Sequence, residues 1–155
     1  MKEFDVSLKT RIVSGSGCID RLGRLWLALL NNPASPKKFT ILLVTDSGVS
    51  AAGHLERART ALMASGFKVA VYDGVRENPG EADIEACWMF AARQRPAGLV
   101  GLGGGSAMDT AKALNFLLAA GGRMSDYQGY DRTSRPMLPL VLVPTTTGTG
   151  SEVQS

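Results

Sequence analysis

The residues best suited to chemistry stand in two short runs. In Gly101-Leu102-Gly103-Gly104-Gly105-Ser106 an apolar stretch runs into consecutive glycines and a serine, and a helical pattern follows. Glycine lets a backbone turn tightly and come close to a ligand. A helix start presents unpaired N–H groups at the positive end of the dipole. Ser106 can cap that helix and donate to a phosphate oxygen. Together these make an anion cradle of the kind that holds a pyrophosphate; the alternative is a tight strand-to-helix turn with no ligand. The second run, Pro144 to Ser151, sets Thr145, Thr146, Thr147, Thr149 and Ser151 among Gly148 and Gly150. Its hydroxyl and N–H donors suit the nicotinamide-ribose side of a dinucleotide, and a polar turn is the plainer reading.

Two carboxylates accompany these runs. Asp46 follows an apolar stretch, where it can accept hydrogen bonds from adenosine ribose hydroxyls and repel the extra phosphate of NADP. It can equally close an Asx turn in Asp46-Ser47-Gly48. Asp109, three residues past Ser106, lies one helical turn in; it can bond a ribose or nicotinamide group, or serve the helix dipole. Lys112 can reach the phosphate side or stay solvated, and carries no assignment.

Several other chemistries are excluded. G-x-G-x-x-G fails because its third glycine position is Ser106, and a Walker A loop fails for want of Gly-Lys-Ser/Thr. Met108 stands where a G-x-S-x-G nucleophile elbow needs its last glycine, and no histidine is at hand as a base. The single histidine, His54, reads as a helix-start surface residue. Cys18 and Cys87 form no C-x-x-C pair and read as two buried free thiols.

The elements that must position these runs alternate along the chain. Phe4–Val13 reads as strand-like, and Gly15-Ser16-Gly17 as a turn. Ile19, Leu22, Trp26 and Leu29 have helical spacing, with Asp20 placed to favour the helix dipole, and Asn31 to Pro36 ends that helix. Strands are expected at Phe39–Val44, Lys68–Tyr72, Gly98–Leu102 and Leu138–Val143. Helices are expected over Leu55–Met63 (helical face Leu55, Ala58, Leu62 and Met63), Glu81–Arg93 and Ala107–Ala119. This alternation implies an α/β fold: a Rossmann-like parallel sheet with helices on both faces and ligands at the carboxyl ends of the strands.

At 155 residues the chain has the length of one domain, read here as a dinucleotide-binding domain over 1–155. Apolar residues make up 45% and charged residues 20%, ordinary for a globular protein. The net charge of +3 is spread out, with only Lys37 and Lys38 adjacent, so no nucleic-acid partner is expected. No apolar stretch is long enough to span a bilayer, and Met1–Ser7 has no apolar leader core; no membrane association and a cytoplasmic location are expected.

The chain resembles the iron-containing (group III) alcohol dehydrogenases. Gly103-Gly104-Gly105-Ser106-Ala107-Met108-Asp109-Thr110-Ala111-Lys112 is similar to that family's cofactor motif, and Pro144 to Glu152 to its second signature. Val44-Thr45-Asp46 and Gly74-Val75, followed by Asn78-Pro79, match in place and order, and the likeness runs from Val13 to Val153. It implies a dehydroquinate synthase-like N-terminal domain that binds NAD, with NADP possible. Gly104, Gly105, Ser106 and Asp109 would hold pyrophosphate and ribose. Thr145, Thr146 and Thr149 would meet the nicotinamide side, Asp46 the adenosine end, and Asn78 would lie nearby. It further implies a helical C-terminal domain beyond residue 155 whose one Asp and three His hold iron or zinc, so this chain should supply no metal ligand and no catalytic residue and be silent alone. The intact protein would be a homo-oligomer interconverting a small alcohol and an aldehyde or ketone by hydride transfer, the metal polarising the alcohol oxygen. Maleylacetate reductase-like and glycerol dehydrogenase-like enzymes share the implied fold, and a stand-alone nucleotide-binding module is the non-enzymatic alternative.

Overall fold

A computed structural model describes residues 10–127 and 136–151. Among these residues four parallel strands form one sheet: β1 (Thr40–Val44), β2 (Lys68–Tyr72), β3 (Gly98–Gly103) and β4 (Leu140–Pro144), in the order β2-β1-β3-β4. Among the described residues five α-helices accompany them: α1 (Leu22–Leu29), α2 (Ser47–Ala51), α3 (His54–Ala64), α4 (Glu81–Gln94) and α5 (Gly105–Ala120). The short apolar runs become strands because both their faces are covered, as parallel sheets require. Successive side chains of a strand point to opposite faces, and the core divides accordingly. Ile41, Leu43, Val100 and Leu102 pack with Leu22, Trp26, Ala58 and Leu62 of α1 and α3. Leu42, Val44 and Leu99 pack with Cys87 and Ala91 of α4 and with Ala107, Ala111 and Leu114 of α5.

Two glycines of β3 set how closely the layers meet. A Cβ on Gly98 would overlap the Trp26 ring, and one on Gly101 would stand 2.9 Å from Ala111 Cβ and 3.0 Å from Leu142 Cδ2. The α5 helix therefore lies directly on the β3 backbone.

Some expectations need correction. The Phe4–Val13 strand falls partly outside the described residues, and its described part, Thr10–Val13, is not strand. Met63 and Leu29, read as parts of apolar helical patterns, are half-exposed in the last turns of their helices. Asp20 sits in a short 3-10 turn ahead of α1, where a two-point pair with Arg57 at 2.8 Å occupies its carboxylate. That pairing holds the Asp20 carboxyl below its ordinary range. Cys87 is buried but Cys18 is only partly so; both are free. Among the described residues no helix is long and apolar enough to cross a membrane.

Candidate functional site

From β1 the chain steps to β2 on one side, then crosses to β3 on the other. The ends of β1 and β3 are thus the switch point of an open α/β sheet, the place where such sheets bind their ligands. Hydrogen bonds tie the strand ends together there. The Thr45 hydroxyl, fully buried, donates to the Leu102 carbonyl at 2.7 Å, and Thr45 N–H donates to the Tyr72 carbonyl at 2.9 Å. Thr145 N–H donates to the Gly103 carbonyl at 2.9 Å. The expected loops after β1, β3 and β4 therefore converge.

Gly103 turns the backbone with φ +149°, a region L side chains rarely enter, and a Cβ there would stand 3.0 Å from Asp46 Oδ2. The Asp46 carboxylate therefore borders the glycine turn. Its Oδ1 accepts from Val49 N–H at 2.9 Å, so Asp46 is the N-cap of α2 where an Asx turn on Gly48 was the alternative expected. Oδ2 accepts no hydrogen bond among the described residues and stands beside the Gly103 backbone.

The α5 helix begins at Gly105, two residues before the expected start, with Gly104 as its N-cap. Ser106 consequently does not cap it. The serine lies inside the first turn, and its Oγ accepts from Asn78 N–H at 3.2 Å. Accepting that bond leaves the Ser106 O–H free to donate. Asn78 adopts φ +50°, left-handed backbone that asparagine tolerates better than most residues. The loop after β2 thereby reaches the cradle, bringing Asn78 and Ser106 together. Gly104 has no side chain to cap the first-turn N–H groups, which leaves the positive end of α5 to a ligand.

The hydroxyl loop lies against this turn. A Cβ on Gly104 would meet Thr146 Oγ1 at 3.3 Å; one on Gly105 would meet Thr149 Cγ2 at 3.3 Å and Ser151 Oγ at 3.4 Å. The two glycines admit the threonine loop as well as any ligand. Thr145, Thr146, Thr147 and Thr149 are exposed, whereas Ser151 is only 4% exposed and donates from Oγ to Asp109 Oδ2 at 3.2 Å. Asp109 Oδ1 stands 3.8 Å from Lys112 Nζ. Ser151 and Thr45 are the residues whose contacts were not foreseen; their signal was a hydroxyl directly beside a glycine or a strand end. Glu152 and Val153 of the second signature lie outside the described residues.

Neither Cys87 nor His54 belongs to this group of site residues. Burial pushes the Cys87 thiol up to about 12, so it stays protonated at neutral pH, and it lies in the core between α4 and the sheet. His54 is exposed at the start of α3, as its sequence context suggested.

Comparison with known proteins decides the family. The sequence profile of "Iron-containing alcohol dehydrogenase" matches residues 9–155. The chain belongs to that family. It is 37% identical over 112 residues to alcohol dehydrogenase 4 of Schizosaccharomyces pombe, covering 72% of this chain and 26% of that protein. It is 35% identical over 114 residues to the NAD-dependent methanol dehydrogenase of Bacillus methanolicus, covering 74% and 30%. A solved sulfoacetaldehyde reductase from Bifidobacterium kashiwanohense, in complex with NAD+, superposes with a TM-score of 0.80 at 25% identity, covering 99% of this chain and 39% of that one. A solved 1,3-propanediol oxidoreductase gives a TM-score of 0.81 at 30% identity, covering 90% and 35%. The chain thus spans between a quarter and two-fifths of the length of these members of the iron-containing alcohol dehydrogenase family.

The groups the family name implies fare differently against these residues. A dinucleotide fits: an open helix N-terminus, a serine O–H and a carboxylate oxygen without partners among the described residues, and exposed hydroxyls gather at one edge of the sheet. For iron, among the described residues no three His, Cys, Asp or Glu side chains gather to hold a metal. These residues do not fit a metal centre, and no chemistry is derived through one.

Proposed function

We propose that this chain is the NAD-binding part of an oxidoreductase that interconverts an alcohol and a carbonyl compound. The observation that carries the reading is the meeting of the open α5 N-terminus with Ser106, Asp46 and the threonine loop at the switch point of the sheet. In this reading Gly104, Gly105 and the first-turn N–H groups hold the pyrophosphate, and Ser106 donates its free O–H to a phosphate oxygen. Asp46 Oδ2 accepts from the adenosine ribose, which favours NAD over NADP because a second anion beside the carboxylate is repelled. Asn78 orients Ser106 through its N–H. Thr145, Thr146 and Thr149 line the nicotinamide side. Bound there, the dinucleotide supplies the hydride acceptor or donor for the substrate carbon. The protein's task in this region is to fix the nicotinamide ring and keep competing water from it.

The family membership and the NAD-dependent relative from Bacillus methanolicus support this reading. The metal-ligand set implied by the resemblance belongs, on this proposal, to residues beyond 155. Titration of the intact protein with NADH, followed by nicotinamide fluorescence, tests the cofactor assignment. We expect saturable one-to-one binding that competes with NAD+. Absence of saturable binding would overturn the assignment.

A further inference from the structure

We propose that Thr45 is a positioning residue whose hydroxyl sets the spacing between the adenosine carboxylate, Asp46, and the pyrophosphate cradle of residues 104–106. The inference rests on the dinucleotide reading above and names what joins its two subsites. Thr45 directly follows β1 and is fully buried. Its backbone turns to the β2 side: Thr45 N–H donates to the Tyr72 carbonyl at 2.9 Å, and the Thr45 carbonyl accepts from Val75 N–H at 3.2 Å. Its side chain turns the other way, to β3, where Oγ1 donates to the Leu102 carbonyl at 2.7 Å. The backbone register of β1 with β3 runs only as far as Val44 opposite Gly101. The Thr45 hydroxyl therefore serves as a side-chain rung one residue past the end of that ladder, and it satisfies a carbonyl that would otherwise lack a partner.

That rung lies where the two subsites diverge. Asp46 follows Thr45 and leaves as the N-cap of α2, while Gly103 follows Leu102 and leads into the turn before α5. The two are still in touch at this point, since a Cβ on Gly103 would stand 3.0 Å from Asp46 Oδ2. Thr45 thus acts through its neighbours: it ties the segment that carries Asp46 to the segment that carries the glycine turn. Valine keeps the branched shape and loses the donor. Leu102 is fully buried, and a buried carbonyl stripped of its partner shifts toward another donor or water. The distance from Asp46 Oδ2 to the cradle is then no longer fixed. A ligand that engages both subsites at once depends on their joint geometry, whereas one that engages the cradle alone does not.

The test is titration of the intact protein and of Thr45→Val, Thr45→Ser, Asp46→Gly and the Thr45→Val/Asp46→Gly double variant with two probes, read by displacement of NADH. ADP spans both subsites, and inorganic pyrophosphate meets the cradle alone. We expect Thr45→Val to weaken ADP about tenfold, the scale of one lost subsite contact to a charged group, and to leave pyrophosphate within about twofold of wild type. Thr45→Ser keeps the hydroxyl and should hold ADP to within about threefold. With Asp46 already replaced by glycine there is no spacing left to set, so Thr45→Val should cost ADP no more than about twofold further. Unchanged ADP affinity in Thr45→Val, an equal loss of pyrophosphate, no recovery in Thr45→Ser, or the full tenfold loss in the Asp46→Gly background would each overturn the inference while leaving the dinucleotide reading in place. If Thr45→Val fails to fold, Thr45→Cys, which retains only a weak S–H donor, is read by the same criteria, with a threefold or larger loss confined to ADP expected. Wild-type protein that binds neither ADP nor pyrophosphate would overturn the dinucleotide reading itself.

Discussion

The glycine turn after β3 and the hydroxyl loop after β4 lie against each other at one end of the sheet, yet they are held by different forces. The turn is defined by sterics. Gly101, Gly103, Gly104 and Gly105 each stand where a Cβ would meet a neighbour within 3.4 Å, on α5, β4, Asp46 or the loop. The loop is exposed and defined by single polar contacts: Thr145 N–H to the Gly103 carbonyl, Ser151 N–H to Thr149 and Ser151 Oγ to Asp109. Close packing transmits every added atom, whereas a hydrogen bond in a half-solvated loop contributes about 1 kcal/mol net. The turn should therefore fail in stability when enlarged, and the loop should fail in ligand selectivity while the fold persists.

The largest expected effect is at Gly101, deepest in the packed region. Gly101→Val places a branched side chain against Ala111, Leu142 and the Met108 backbone. We expect a loss of about 3 kcal/mol or more in unfolding free energy, read from the urea midpoint. A midpoint close to wild type would show that α5 can lift from β3 at little cost, and the contrast between the regions would collapse.

Gly105→Val probes the seam between them. Its Cβ contacts, 3.3 to 3.4 Å, are with side chains of the exposed loop, which can give way. The fold should survive with a loss of about 1 kcal/mol, at the low end of overpacking. NADH binding should fall by more than about tenfold, since the loop is displaced and the cradle filled. Unchanged affinity would place the cradle elsewhere.

Asp46→Gly separates the two roles of that residue. Losing the α2 cap to glycine costs only a few tenths of a kcal/mol, so stability should hardly move. The preference for NAD over NADP, measured as a ratio of kcat/KM values in the intact enzyme, should drop by about tenfold as the like-charge repulsion is removed. Equal efficiency with both cofactors before mutation would contradict the assignment.

The smallest effect is expected far from both regions, at the exposed Asp20–Arg57 pair. Pairing holds the Asp20 carboxyl below its ordinary value. Its contribution to stability is therefore present above the unfolded-state value and lost as pH falls through the lowered one. Asp20→Asn should leave the melting temperature nearly unchanged at neutral pH and flatten its fall on the acid side. A large drop at neutral pH would show that the pair carries more than solvent screening allows.

The strands were legible because their signal is local. Lys68–Tyr72 is β2 residue for residue, and the apolar runs around β1 and β3 differ from the observed strands by a single residue at one end. A short run of β-branched and apolar residues has few other places to go than a doubly covered sheet. Helix starts and exposed ends were less legible. The α5 helix absorbed Gly105 and Ser106, and so moved Ser106 from cap to first turn. Whether a glycine continues a helix depends on what packs against it, here Thr149 and Ser151 from a distant part of the chain.

The same division runs through the site. Residue order alone placed Asp46, Asn78, the glycine turn and the threonines after apolar strands, and parallel connectivity sends all such junctions to one edge of the sheet. Pairings across that edge were beyond its reach. Asn78 N–H meets Ser106 across 28 residues and Ser151 meets Asp109 across 42. Periodicity reports which face a residue turns to its own element's neighbours. It carries no information on which hydroxyl in one loop finds which carboxylate in another; strand order, helix register and the space left by two glycines decided that here.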